Sequence, residues 1–314
     1  MLDVFALVLP LFSVIILGYI SGRVSNLNKD ALGWLNFFIL YIALPALFYK
    51  LLSTTPVEEF KNYRFFVSSI AVTFVIFLTC FLIALLIRRT GTATATLQGL
   101  AGAYGNIGYL GPPLAIAAFG SEAGVPVALI FTLENTMHFI LAPLLMAFAL
   151  NSNSQSPGLL IRGIVHRIAT HPFIIATVVG VLAAVYKVQL PEAANQLIDS
   201  LSGAAAPCAL FAMGVTAAIR PLKRIPIAAN YVVPIKLLIH PALMYLVISS
   251  IPGIDSTWVL SAVLLASLPT ATNVFVIAQQ YRTWEEQASS MVVISTALSM
   301  VTVTGLLYLA GAGQ

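Results

Sequence analysis

The sequence predicts an all-α integral membrane protein: ten transmembrane helices arranged as two inverted five-helix repeats, with the fourth and ninth helices broken. Three observations predict it. The 314 residues are 60% apolar and 8% charged. A water-soluble domain carries about 25% charged residues, so this chain has too few to cover a soluble surface. Two apolar segments, each long enough to cross a bilayer, carry helix-breaking clusters at their centres. Prolines and glycines recur between the two halves at one shared offset.

The spans follow from apolar runs of about 20 residues. In the first half they are 4–22, 32–51, 65–87, 96–119 and 125–149. In the second half they are 172–186, 204–219, 231–250, 257–278 and 288–309. Met1-Leu2-Asp3 supplies no basic segment, so the first run is expected to be a retained span and not a cleaved signal. Residues 151–171 form a cytoplasmic linker between a first repeat at 1–150 and a second at 172–314. The linker opens with Asn151-Ser152-Asn153-Ser154-Gln155-Ser156-Pro157-Gly158, which has turn and flexible-loop chemistry. Residues 191–202 are too short and polar to cross, and are expected to lie along the surface as an amphipathic helix. Cys80 and Cys208 fall in apolar runs and read as packing residues, not as a disulfide or metal pair.

The fourth run contains Gly105-Asn106-Ile107-Gly108-Tyr109-Leu110-Gly111-Pro112-Pro113. Its prolines delete two backbone donors and clash with the preceding turn, and its glycines weaken the helical bias. The ninth run contains Leu268-Pro269-Thr270-Ala271-Thr272-Asn273. Lipid cannot satisfy a backbone broken at membrane depth, so each break must face protein or a water-filled cavity. The half-helices are expected to begin after Pro113 and Pro269, where free N–H groups and the positive dipole end favour an anion.

The repeat is read from offsets. Pro10 and Gly18 match Pro172 and Gly180, and Pro45 matches Pro207, all at 162 residues; Ile116-Ala117 resembles Ile277-Ala278 at 161. An odd number of spans per half requires the second copy to be inverted. Inverted repeats with a broken helix in each imply a secondary transporter with its substrate at the midplane.

Loop charge sets the orientation. Arg23, Lys29, Arg88, Arg89, Arg162, Arg167, Arg220, Lys223, Arg224 and Arg282 lie on one side; Lys50, Lys61, Arg64 and Lys187 lie on the other. The positive-inside rule places the richer side in the cytoplasm and both termini outside. The net charge of +4 is not gathered on a soluble element, which argues against nucleic acid as a partner. There is no Gly-x-Ser-Gly protease pattern, no phosphate-binding Walker motif and no cluster of metal ligands. An enzyme and a bound cofactor are therefore not expected.

Asn106 and Asn273 flank the breaks, and an amide there can donate to a substrate carboxylate or satisfy broken backbone. Thr270 and Thr272 have the same two options; Tyr109 lines the cavity or packs. Glu134 and His138 lie one turn apart in the middle of the fifth span, where an unpaired charge is costly. Two readings stand: a proton-coupling site, or a static buried hydrogen bond. Lys236 and His240 are one turn apart in the eighth span. Lys236 either snorkels to the cytoplasmic end or attracts the anion inward, and Pro241 offers a kink.

Several stretches resemble the auxin efflux carrier family, which includes plant carriers and bacterial relatives assigned to malonate and other small organic acids. They are Asn36-Phe37-Phe38 through Leu44-Pro45-Ala46-Leu47; Asn106 with Gly111 and Pro113; Lys236 through His240-Pro241-Ala242-Leu243-Met244; and Leu268-Pro269 with Phe275-Val276, Ala278 and Tyr281. The resemblance implies ten spans in a bile-acid-symporter-like (NhaA-like) fold. Helices 1, 2, 6 and 7 would form a scaffold, and helices 3–5 and 8–10 a moving transport domain. Helices 4 and 9 would cross at their breaks, which puts Asn106 at the substrate. With the residues of the two breaks, the candidate site for a small organic anion is Gly105, Asn106, Tyr109, Gly111, Pro113, Pro269, Thr270, Thr272 and Asn273. It also implies a homodimer in the plasma (inner) membrane. The plant carriers have proline where this chain has Gly105 and Val274, and a long cytoplasmic loop where it has residues 151–171. The expected function is alternating-access transport of a small organic anion, driven by membrane potential or a proton gradient, with sodium left open because the fold's bile-acid relatives use it. The alternative is an anion channel or a ligand-sensing receptor on the same fold.

Overall fold

The computed structural model describes residues 2–25, 32–149, 157–219 and 225–311. These residues form thirteen helices joined by short turns, with no β-strand among them. In chain order they are α1 (Leu2–Val24), α2 (Gly33–Ser53), α3 (Tyr63–Ile87), α4 (Thr92–Ala103), α5 (Ile107–Phe119), α6 (Gly124–Ala149) and α7 (Pro157–Ala169). There follow α8 (Pro172–Val185), α9 (Glu192–Ile219), α10 (Ala229–Ser249), α11 (Ser256–Ser267), α12 (Thr272–Gln280) and α13 (Glu285–Leu309). Six of them, α2, α3, α6, α9, α10 and α13, are long and apolar enough to cross a membrane; α5, α8, α11 and the Leu9–Val24 part of α1 are shorter apolar stretches. Large apolar side chains such as Leu17, Val67, Leu86, Val178, Leu246 and Val301 point away from the protein. So wide an apolar exterior is unfavourable in water and favourable in lipid. The chain is an all-helical, multi-pass membrane protein.

Two helix pairs pack backbone to backbone. On α1, a Cβ at Gly18 would stand 2.2 Å from the Phe211 carbonyl oxygen. On α9, one at Gly214 would stand 1.9 Å from that of Ile15. No side chain fits at either position, which is how helices associate where lipid removes the hydrophobic drive between them. In the second pair, a Cβ at Gly180 of α8 would meet Leu52 at 3.0 Å and the Tyr49 backbone at 3.3 Å, both on α2. Two helices also widen into a π turn two residues ahead of a proline: Ile39–Ala43 before Pro45, and Ile235–Ile239 before Pro241. The wider turn relieves the clash between the proline ring and the carbonyl one turn back.

The fold corrects two expectations and adds a helix to the linker. The break in the fourth run lies at 104–106, not at Pro112–Pro113, and α5 begins at Ile107 with both prolines inside it. The prolines cost α5 only the hydrogen bonds to the Gly108 and Tyr109 carbonyls. Residues 192–202 are not a separate surface helix; they are the first turns of α9, which runs unbroken to Ile219. Nothing between Ser202 and Ala204 stops a helix, since Gly203 alone is a weak breaker. The linker holds the helix α7, with Leu159, Ile161 and Val165 exposed. Its opening residues 151–156, and the basic residues Lys29, Arg220, Lys223 and Arg224, lie outside the described residues.

The buried core divides into two clusters. Ile107, Leu110 and Leu268 belong to one, and Tyr104, Ala271 and Val274 to the other. The two helix breaks therefore sit on the seam between them.

Candidate functional site

The two breaks meet. Tyr104, Gly105 and Asn106 separate α4 from α5; Leu268 to Ala271 separate α11 from α12. Gly105 and Thr270 form an antiparallel bridge. The Asn106 N–H donates to the Pro269 carbonyl at 2.7 Å, and the Ala271 N–H donates to the Tyr104 carbonyl at 2.9 Å. Each break thus satisfies backbone of the other, as a membrane interior demands. Thr270 closes the remainder: its N–H donates to Ser295 Oγ at 3.1 Å and its hydroxyl to the Ala101 carbonyl at 2.8 Å.

Two helix N-termini open at this crossing. The Ile107 and Gly108 N–H groups begin α5, and the Thr272 and Asn273 N–H groups begin α12, with no carbonyl one turn back to receive them. Their partial positive charge favours an anion. A crevice of about 20 Å³ lies beside them, lined among others by Tyr104, Gly105, Asn106, Tyr109, Thr272 and Asn273. That volume holds about one water. A carboxylate therefore requires other lining side chains, such as Leu40, Phe131 and Phe173, to draw back.

The predicted site residues separate into groups. Asn106 is buried, and its amide donates to the Met213 thioether of α9 at 3.6 Å, a weak acceptor that a carboxylate would displace. Asn273 donates from Nδ2 to the Tyr104 hydroxyl at 2.8 Å. Tyr104 in turn donates to Asn135 Oδ1 on α6 and stacks on His138 at 4.1 Å between ring centres. Tyr109 lines the crevice and donates to Asn36 Oδ1 of α2 at 3.1 Å. Gly111 and Pro113 are buried within α5, outside the crevice lining. Gly105 leaves the room that Lys236 occupies, for a Cβ there would stand 3.1 Å from Lys236 Nζ.

Lys236 does not snorkel. It is fully buried, and Nζ donates to the Ala266 carbonyl at 2.9 Å and lies 3.1 Å from His240 Nδ1. The ammonium thus sits on the last carbonyls of α11, where the helix dipole favours a cation. The Glu134 and Lys236 clusters, distinct in the sequence, are joined by Thr73 of α3. Its hydroxyl donates to Glu134 Oε1 at 2.8 Å and lies 3.3 Å from His240 Nε2. His138 stands apart from this chain. Neither of its ring nitrogens has a well-formed hydrogen bond, and the Glu134 carbonyl one turn back is within electrostatic reach. Thr73, Tyr104 and Met213 were not singled out from sequence. Only the positions of Thr73 and Tyr104, polar groups mid-way along apolar runs, pointed to them.

Comparison with known proteins places this all-helical membrane chain in a transporter family. It belongs to the membrane transport protein family, whose model matches residues 3–307 and which contains the auxin efflux carriers. It is 55% identical over 313 residues to the "Putative malonate transporter" of Rhizobium meliloti (strain 1021), covering 100% of this chain and 98% of the relative. It is 28% identical to an "Uncharacterized transporter" of Methanothermobacter thermautotrophicus, covering 94% of each chain. It is 25% identical to the "Uncharacterized transporter YfdV" of Escherichia coli (strain K12), covering 94% of this chain and 93% of the relative. These relatives are transporters and not enzymes.

Proposed function

We propose that the protein is a secondary active transporter of small organic anions, malonate-like carboxylates among them, working by alternating access at the crossing of the two breaks. The observation that carries this reading is the mutual pairing of the Tyr104–Asn106 and Pro269–Ala271 backbones beside two open helix N-termini. The name of the Rhizobium relative supports the choice of malonate. Asn106 and Asn273 are the proposed substrate amides, with Tyr109 and Thr272 on the cavity wall. Thr270 is bonded within the crossing and holds its geometry.

In this reading α4–α5 and α11–α12 are the fourth and ninth of ten spans. The reciprocal packing of α1 on α9 and of α8 on α2, through Gly18 and Gly180 at the same offset, supports two inverted repeats. Helices 1, 2, 6 and 7 then form a scaffold, and the remainder an elevator-type transport domain. Both termini face outward, by the loop charges. The protein acts as a homodimer in the plasma (inner) membrane.

Counterflow tests this against a channel or a receptor. Purified protein in liposomes preloaded with unlabelled malonate is expected to take up labelled malonate faster than in unloaded liposomes. A channel gives flux without that stimulation, and a receptor binds without flux; either result rules out the proposal.

A further inference from the structure

The four polar residues that bury themselves behind the crossing form a continuous chain with one direction. Glu134 accepts from Thr73, so the Thr73 oxygen is left to accept from His240 Nε2–H. A histidine protonated at Nε2 leaves Nδ1 to accept, and Lys236 Nζ is there to donate. Every donor therefore points from the ammonium toward the carboxylate. All four side chains are at most 3% exposed. Lysine and glutamate are almost never so buried without a paired or functional reason.

We propose that Lys236, His240, Thr73 and Glu134 are a proton-binding relay, distinct from the anion site, that holds one proton for each anion carried. The step balances. A hydronium in the water at the Lys236 end gives up a proton and is left as water; Lys236 passes one to His240 Nδ1, His240 passes one from Nε2 to Thr73, and Thr73 passes its own to Glu134. Lys236 is again an ammonium, Glu134 is a carboxylic acid, and the cluster has gained one positive charge. The Lys236 ammonium lies against Gly105 in the crossing. An anion held beside Asn106 therefore favours the protonated cluster, and the protonated cluster favours the anion.

The relay needs water at the Lys236 end, and the cavity at that end of α10 is its proposed source. A cavity of about 490 Å³ opens between the starts of α4, α10 and α13, walled by Arg88, Thr94, Trp284 and Glu286, with Gln98 and Tyr231 at its margin. The Tyr231 hydroxyl donates to Gln98 Oε1. Tyr231 lies five residues before Lys236, about 7.5 Å of helix rise. Cys80 of α3 lies within electrostatic reach of both. The titratable neighbours of the relay are thus Cys80 from α3, Tyr104 from the crossing and His138 from α6. Helices α11 and α12 contribute no charged side chain, and the acidic residues of α13 are confined to its start.

The inference rests on the anion-transport reading, and the experiment separates the two. Malonate uptake into liposomes is measured first as counterflow at equal pH, then under an inward proton gradient, with internal pH followed by a dye. Wild type is expected to show counterflow, and an added gradient-driven accumulation with internal acidification that protein-free liposomes lack. In Glu134→Gln, and in the near-isosteric Thr73→Val, the ratio of gradient-driven uptake to counterflow should fall about fivefold or more. Wild-type counterflow that ignores the gradient, or either folded variant with the wild-type ratio, overturns the relay and leaves anion transport standing. Absence of wild-type counterflow removes both.

Discussion

Asn106→Ala is expected to weaken malonate binding by about 10–150-fold, the equivalent of the roughly 1.5–3 kcal/mol that a hydrogen bond to a charged group contributes. The same variant should leave the unfolding temperature nearly unchanged. What it loses in the folded protein is one contact to the Met213 thioether; the backbone pairing of residue 106 with Pro269 remains. Isothermal titration with malonate, beside a thermal melt, separates the two effects. Wild-type affinity in the variant would mean that the amide only fills space.

Lys236→Met should act in the opposite manner, through stability. The ammonium is the only cation among the groups linked to Glu134. Removing one partner of a buried charge pair costs about 3–5 kcal/mol, because the other charge is left uncompensated. At roughly 2–4 °C per kcal/mol, the melting temperature should fall by about 6–20 °C. Glu134→Gln made in the Lys236→Met background should recover at least half of that loss, since no lone charge then remains. Additive losses in this double-mutant cycle would show that the two residues do not communicate through His240 and Thr73.

Six of the predicted runs were legible because lipid imposes a length on each: 32–51, 65–87, 125–149, 204–219, 231–250 and 288–309 fall on helices long and apolar enough to cross a membrane. The second break was legible too, because Pro269 lies inside it. The first was misplaced by about two turns. Proline signals strain, but Pro112 and Pro113 fall early in α5 and are tolerated, while the interruption is fixed by Gly105 pairing with Thr270. That partner is distant in sequence and has no local signature. The same limit hid the relay. Lys236–His240 and Glu134–His138 were visible as pairs one turn apart. The residue joining them, Thr73, is 61 positions from Glu134 and 167 from His240. Even the correct pairing on α6 was lost, for His138 stacks on Tyr104 and takes no part in the chain of donors. Lys236 allowed both a snorkelling and an inward-facing reading because sequence gives depth along a helix but not the direction a side chain takes.

Two cavities of very different size could receive the anion, and locating it decides the central claim. An experimental structure with malonate bound should show the ligand between Asn106 and Asn273, its carboxylate on the first N–H groups of α5 and α12, with Phe131 and Phe173 displaced. Malonate seated instead in the large cavity beside Arg88 and Trp284, with the crossing closed as before, would contradict the account.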